Sequence, residues 1–144
     1  MPAKLKDQLI GAWKRVSYEE WPGDGSFPFY PMSNHSMGII MYTPDGYISA
    51  QLMHPDRKNV VSGDWFDGTG AEYKQEASTY IAYSGPFHAD EKKKTGTHSM
   101  FVSLFSNWTG QTQPHVVKIE DNLVRLSSAV PIRSGGKTAN SYLA

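Results

Sequence analysis

The sequence predicts an all-β fold, an antiparallel barrel with a short N-terminal helix. Three observations carry that prediction. Roughly eight to ten short segments read as strands, set apart by turn residues, which is the number a closed or nearly closed barrel needs. Helical spacing is confined to the first dozen residues and to Ala71–Ala77. Thr97–Phe105 sets His98, Met100, Val102 and Leu104 on one face against Thr97, Ser99, Phe101, Ser103 and Phe105 on the other. Neither face is fully polar, which suits a strand partly enclosed on both sides in a sheet curled round a cavity.

In Lys4–Ala12, Leu5, Leu9 and Ile10 recur at helical spacing and Gly11 stops the pattern, so a short helix leads into a strand at Trp13–Glu20. A Pro- and Gly-rich loop covers Trp21–Ser36. Met37–Thr43 and Tyr47–Met53 flank Pro44-Asp45-Gly46. Proline presets the first turn angle, aspartate bonds back to the turn backbone and glycine accepts a positive φ, so this is a tight hairpin. His54–Gly70 is polar and irregular, and Ala71–Ala77 allows a helical turn or two. Further strands are predicted at Ser78–Ser84, Pro86–Ala89, Gly96–Phe105, Pro114–Glu120, Leu123–Ser127 and Asn140–Leu143, with a tight turn at Asp121-Asn122.

The 144 residues suffice for one domain spanning 1–144 with a core able to fold unaided. Fourteen basic side chains balance fourteen acidic ones, so neither nucleic acid nor membrane is an expected partner, since both require a concentrated positive field. Cysteine is absent, which removes disulfides and thiolate chemistry. The first residues hold no apolar core of signal-peptide length and no run approaches a membrane span, so a cytoplasmic protein is expected. Eight Tyr, four Trp, six Phe and six Met are side chains that line both cores and pockets for apolar ligands. A small hydrophobic or amphipathic molecule is the expected partner, with a homodimer as a further option.

No phosphate loop, dinucleotide fingerprint, Gly-x-Ser-x-Gly or His-Glu-x-x-His occurs, and no two of the five histidines sit at metal-ligand spacing. No metal and no cofactor are therefore expected. His98 heads the Met100 row, so an inward row makes it a proton shuttle, against a barrel-mouth histidine bonded to a loop carbonyl. Arg15 shares a face with Trp13 and offers paired hydrogen bonds to a ligand carbonyl or carboxylate, against a salt bridge with Glu19. Tyr42, Gln51, Tyr83 and Phe101 are lining candidates whose default role is packing. Alternation leaves open whether Ser49, Gln51 and Met53 or Ile48, Ala50 and Leu52 face inward.

Leu9-Ile-Gly-Ala-Trp-Lys-Arg-Val-Ser-Tyr-Glu, Gly38 to Met53, Tyr80 to Phe87 and His98 to Gln113 together resemble the lipocalin-like domain family of small bacterial and fungal proteins. The resemblance implies a barrel with one open end and a ligand cavity, in which Trp13 of the Gly-x-Trp pattern plugs the closed end. Arg15 departs from it, standing where an aliphatic residue is expected. The family pattern also continues past Ser141-Tyr-Leu-Ala into a Trp-Arg pair, so the basic residue that stacks under the plug tryptophan is expected to be missing. Fungal relatives occur among enzymes of natural-product assembly. With that implication, the leading reading is a cofactor-free isomerase or cyclase of secondary metabolism, in which Arg15 would be the electrophilic hydrogen-bond donor and His98 the proton shuttle. Trp13, Ser17, Tyr42, Gln51, Met53, Tyr83, Met100 and Phe101 would bind the ligand. The alternative is a non-catalytic carrier of a small hydrophobic molecule.

Overall fold

The computed structural model describes residues 4–15, 18–22, 30, 32, 33, 35–120, 123–128, 132–134 and 137–143. Helix α1 (Leu5–Leu9) precedes strands β1 (Gly11–Lys14), β2 (Tyr18–Pro22), β3 (Met37–Tyr42) and β4 (Tyr47–Met53). Helix α2 (Gly70–Ser78) leads into β5 (Tyr80–Asp90), β6 (Thr95–Ser99) and β7 (Val102–Ser103). A 3₁₀ turn (Ser106–Trp108) precedes β8 (Thr112–Glu120), β9 (Leu123–Ser128), β10 (Ile132–Ser134) and β11 (Lys137–Leu143). The strands form one antiparallel sheet in the order β1-β3-β4-β5-β6-β8-β9-β11-β10, with β2 on β11 and β7 on β5. β1 and β2 are neighbours in the chain yet pair with β3 and β11, near opposite ends of that path, which nearly closes the barrel. No helix among the described residues is long and apolar enough to cross a membrane.

Alternation places the elements well and their breaks poorly. Trp13–Glu20 is two strands rather than one, because its halves serve opposite ends of the sheet. Ser78–Ser84 and Pro86–Ala89 fuse into β5: Pro86 has no N–H, but Phe87 N–H donates to the Gly46 carbonyl at 2.9 Å and carries the ladder on. Strand β10 lies in a Pro- and Gly-flanked stretch where alternation predicts none, and β11 begins three residues before the expected Asn140. The hairpin at Pro44-Asp45-Gly46 forms as predicted, with Gly46 at φ +96 and Tyr47 N–H bonded to Thr43 Oγ1 at 3.0 Å. The predicted turn at Asp121-Asn122 lies outside the described residues, as does most of the Trp21–Ser36 loop.

The core gathers Ile40, Tyr42, Ile48, Ala50, Phe87, Val117, Val124 and Leu126 around Leu5 and Leu9 of α1. Five residues are too few for a helix to persist alone. Helix α1 holds because Leu5 and Leu9 are buried to 3% and 1% exposure, worth roughly 1.5–3 kcal/mol each. Its ends are tied as well: Leu5 N–H donates to the Glu91 carboxylate, and Trp13 Nε1–H donates to the Leu9 carbonyl at 2.7 Å. One end of the barrel is thereby stoppered. The other carries the α2 segment and the 3₁₀ turn. Helix α2 buries none of its residues and rests on a Thr69–Glu72 capping box.

Candidate functional site

The face of β4 that turns inward is Ile48, Ala50 and Leu52, all buried. Register then fixes what shares the interior. Ala50 lies opposite Ile40 on β3 and Tyr83 on β5, Tyr83 lies opposite Ser103, and Trp13 lies opposite Ile40. On the other side of the barrel Phe87 lies opposite His98, and His98 opposite Gln113. His115 comes two residues further along β8, on the same face as Gln113 and the core residue Val117.

A polar cluster sits within this apolar wall. The Tyr42 hydroxyl lies 2.9 Å from His98 Nε2, while its ring packs edge-on against Phe87 at 4.7 Å. The His98 and His115 rings are 4.4 Å apart and tilted by 37°. Tyr83 approaches His98 at 6.4 Å and meets Trp108 edge-on at 5.9 Å. Burial removes water from every ionisable member, so each favours its neutral form. It pushes the Tyr83 phenol up to about 12 and the Tyr42 phenol well above its usual range, the latter with help from Tyr83. Desolvation holds His98 well below the ordinary histidine value, and His115 beside it adds to the effect. His115 itself falls to about 4 through burial, opposed by the Ser127 carbonyl.

Several buried polar atoms have no hydrogen-bond partner among the described residues: Arg15 Nε, Ser36 Oγ, His98 Nδ1, Ser103 Oγ and His115 Nε2. Each such atom costs about 1–3 kcal/mol. Two of them belong to His98 and His115, whose rings lie together at the centre of the cluster.

Local backbone geometry decides which side chains reach this place. Phe87 pairs with His98 but Ser84 pairs with Val102, so the β6–β7 side carries one residue more than β5 between those pairs. That extra residue is a β-bulge, and it exchanges the two faces of the strand. Met100 stays buried at 1% exposure, whereas Val102 and Leu104, expected inward, stand 56% and 47% exposed. Ser103 turns in instead. The bulge presses on Gly85, where an added Cβ would lie 1.6 Å from the Ser99 carbonyl oxygen. Only glycine permits that approach.

A sheet of this topology, stoppered by a short helix and a Gly-x-Trp tryptophan, agrees with the family comparison: residues 10–144 match the Lipocalin-like domain. The chain belongs to that family. Among its relatives is the 4'-hydroxy-3'-methoxypropiophenone carrier protein of Aspergillus oryzae, 30% identical over a 102-residue alignment that covers 67% of this chain and 92% of that protein.

Within the lipocalin-like barrel, Tyr42, Tyr83 and His98 point inward and meet around one centre, and Met100 is buried. Trp13 packs on the core beneath them. Arg15 continues the Trp13 row, with its N–H bonded to the Gly38 carbonyl at 3.0 Å and its Cβ beside the space a Gly38 side chain would take. No ion pair of Arg15 exists among the described residues; the side chain of Glu19 and all of Ser17 lie outside them. Gln51 and Met53 sit on the outward face of β4, where Gln51 accepts a hydrogen bond from Tyr80 at 2.9 Å. Phe101, expected to bind the ligand, is 60% exposed, on the face of its strand opposite the buried His98 and Met100. His115 escapes the sequence reasoning as a site residue, although its place in one row with Val117 and Ile119 marks it as inward. Among the described residues no group of three or more His, Asp or Glu gathers for a metal.

Proposed function

We propose that this lipocalin-like domain binds a small, largely apolar aromatic molecule inside its barrel and carries it between steps of a biosynthetic route. One observation supports this above the others: the buried histidine pair retains two unpartnered nitrogens in an apolar wall beside the Tyr83–Trp108 pair. Buried polar atoms are nearly always satisfied, so an exception calls for an explanation, and a partner supplied from outside the chain is one. The relative that carries a substituted propiophenone favours the same reading. Isothermal titration with propiophenone and substituted aryl ketones tests it. Saturable binding that weakens at least tenfold in Trp108→Ala is the expected result; absence of binding up to the solubility limit of every probe overturns the reading.

A cofactor-free isomerase or cyclase is the second reading, favoured by the free imidazole nitrogens and by Arg15 in the adjoining interior row. Burial that keeps both rings neutral also makes them weak bases. A histidine held near 4 has roughly a hundredth or less of the proton affinity of a free one, which places the carrier ahead of the proton shuttle. Turnover of a bound intermediate, lost in His98→Ala with binding retained, would reverse that order.

A further inference from the structure

An antiparallel sheet with one face on the core commonly turns polar and charged side chains to water from the other. The outer face of β3, β4, β5 and β7 departs from that rule. Register aligns Met41, Ser49, Ser84 and Val102 in one row across the four strands. The next row holds Ile39, Gln51 and Ala82, with Leu104 N–H bonded to the Ala82 carbonyl at 2.8 Å, and Met37, Met53 and Tyr80 follow. No Asp, Glu, Lys or Arg stands in these rows. Charge stands at the rim: Lys14 lies opposite Ile39 on β1, and Arg57, paired with Glu76, lies over the Tyr80 ring.

The face has relief. Met37, Ile39 and Met41 form a ridge along β3, and Phe101, Val102 and Leu104 a second one at β7, all 36% to 60% exposed. Three strand spacings separate the ridges, about 14 Å. The floor between them is Ser49, Gln51, Ala82 and Ser84, and its polar groups already serve their neighbours: the Ser84 hydroxyl donates to Ser49 Oγ at 2.8 Å and the Tyr80 hydroxyl to Gln51 Oε1 at 2.9 Å. Covering the floor strands none of these hydroxyls, so the desolvation cost that usually opposes burial of polar groups is reduced.

We infer that this face is an interface between two copies of the chain, related by a two-fold axis that lays the Phe101–Val102–Leu104 ridge of each copy into the floor of the other. Ridge and floor lie side by side on one surface, so the face complements itself in shape, as an isologous contact requires. Free of charged side chains, it meets its own image without like-charge contacts, and a formal net charge of +0 gives two chains no long-range repulsion. The β7 ridge enters because the β3 ridge has Lys14 beside it. Sheets packed about 10 Å apart interdigitate side chains in this way. Four strands over six residues span roughly 400 Å² of sheet, the size of an exposed apolar patch that marks an interaction site and small enough to give a reversible dimer.

Sedimentation velocity of the full chain from about 5 to 500 µM tests the interface, since small interfaces associate weakly. A monomer–dimer equilibrium is expected, unchanged or strengthened when salt rises from about 0.05 to 0.5 M, because no ion pair holds it. Phe101→Lys and Leu104→Lys each put a charge on an already exposed ridge and should weaken dimerisation at least about tenfold, with circular dichroism unchanged. Val116→Lys, at an exposed apolar position on β8 away from this face, should leave it within about twofold. A chain that stays monomeric throughout overturns the interface. So does a dimer that survives both ridge variants, is lost equally in Val116→Lys, or dissociates in salt.

Discussion

Tyr42 and His98, 56 positions apart in the chain, meet inside the barrel with 2.9 Å between the phenol oxygen and Nε2. That contact joins the apolar core, through Tyr42 and Phe87, to the polar cluster, through His98 and His115. Tyr42→Phe removes the hydroxyl and leaves both His98 nitrogens without a partner among the described residues. Its expected cost is about 1–3 kcal/mol, read by urea denaturation. Nitrogen-15 spectra of the histidine ring should show His98 losing its single tautomer.

Acid should destabilise the fold through the histidine pair. His115 ionises near 4 in the folded chain and near 6.5 when unfolded, so the unfolded state binds more protons between those values. Stability is therefore full above about pH 6.5 and falls as the pH drops towards 4, by about 3 kcal/mol for His115 alone. His98 shifts in the same direction and adds to the loss. Comparing urea midpoints at pH 7 and 4.5 checks this, and His115→Phe should lose less on acidification than the unaltered protein.

Two glycines should respond oppositely to alanine. At Gly85 the new Cβ would meet the Ser99 carbonyl oxygen at 1.6 Å, and backbone cannot yield as a side-chain tip does. Gly85→Ala should cost upwards of about 3 kcal/mol or prevent folding, as severe overpacking does. At Gly70, which opens α2, nothing lies within 4 Å of an added Cβ. Gly70→Ala should raise stability by up to about 1 kcal/mol. Thermal melts of the two variants check both signs.

Trp13→Phe keeps an aromatic plug but deletes the indole N–H bond to the Leu9 carbonyl. About 1 kcal/mol of stability should be lost. Amide hydrogen exchange should quicken over Leu5–Leu9 more than in β4, because that bond ties α1 to β1.

Arg15 Nε is buried without a partner among the described residues, so replacing the guanidinium removes a desolvated group that forms no described ion pair. Arg15→Met should leave stability within about 1 kcal/mol of the original or raise it. A loss of 3 kcal/mol or more in chemical denaturation would show that the guanidinium holds the fold.

Much of the architecture is legible in the sequence because it is written in local periods. Leu5, Leu9 and Gly11 mark the helix, Pro44-Asp45-Gly46 the hairpin, and alternation the strands. Inwardness is legible only where one face is clearly more apolar. On β4, Ile48-Ser49-Ala50-Gln51-Leu52-Met53 offers two plausible linings, and pairing with Ile40 and Tyr83 chooses between them. On Gly96–Phe105 the alternation gives the right facing as far as Phe101 and the wrong one for Val102, Ser103 and Leu104, since a bulge leaves no period of its own in the sequence.

Local pattern along the chain is enough to specify an antiparallel barrel with a short N-terminal helix and to bring His98, Tyr42, Tyr83 and Arg15 forward as interior candidates. It does not specify that the His98 ring lies against that of His115, that Tyr42 holds one of its nitrogens, or that Val102 and Leu104 turn outward; those relationships exist only in the folded barrel. The physical reason is that side-chain period is a property of neighbours along the chain. The partner of a buried nitrogen, and so its tautomer and basicity, is set instead by strand register across the barrel.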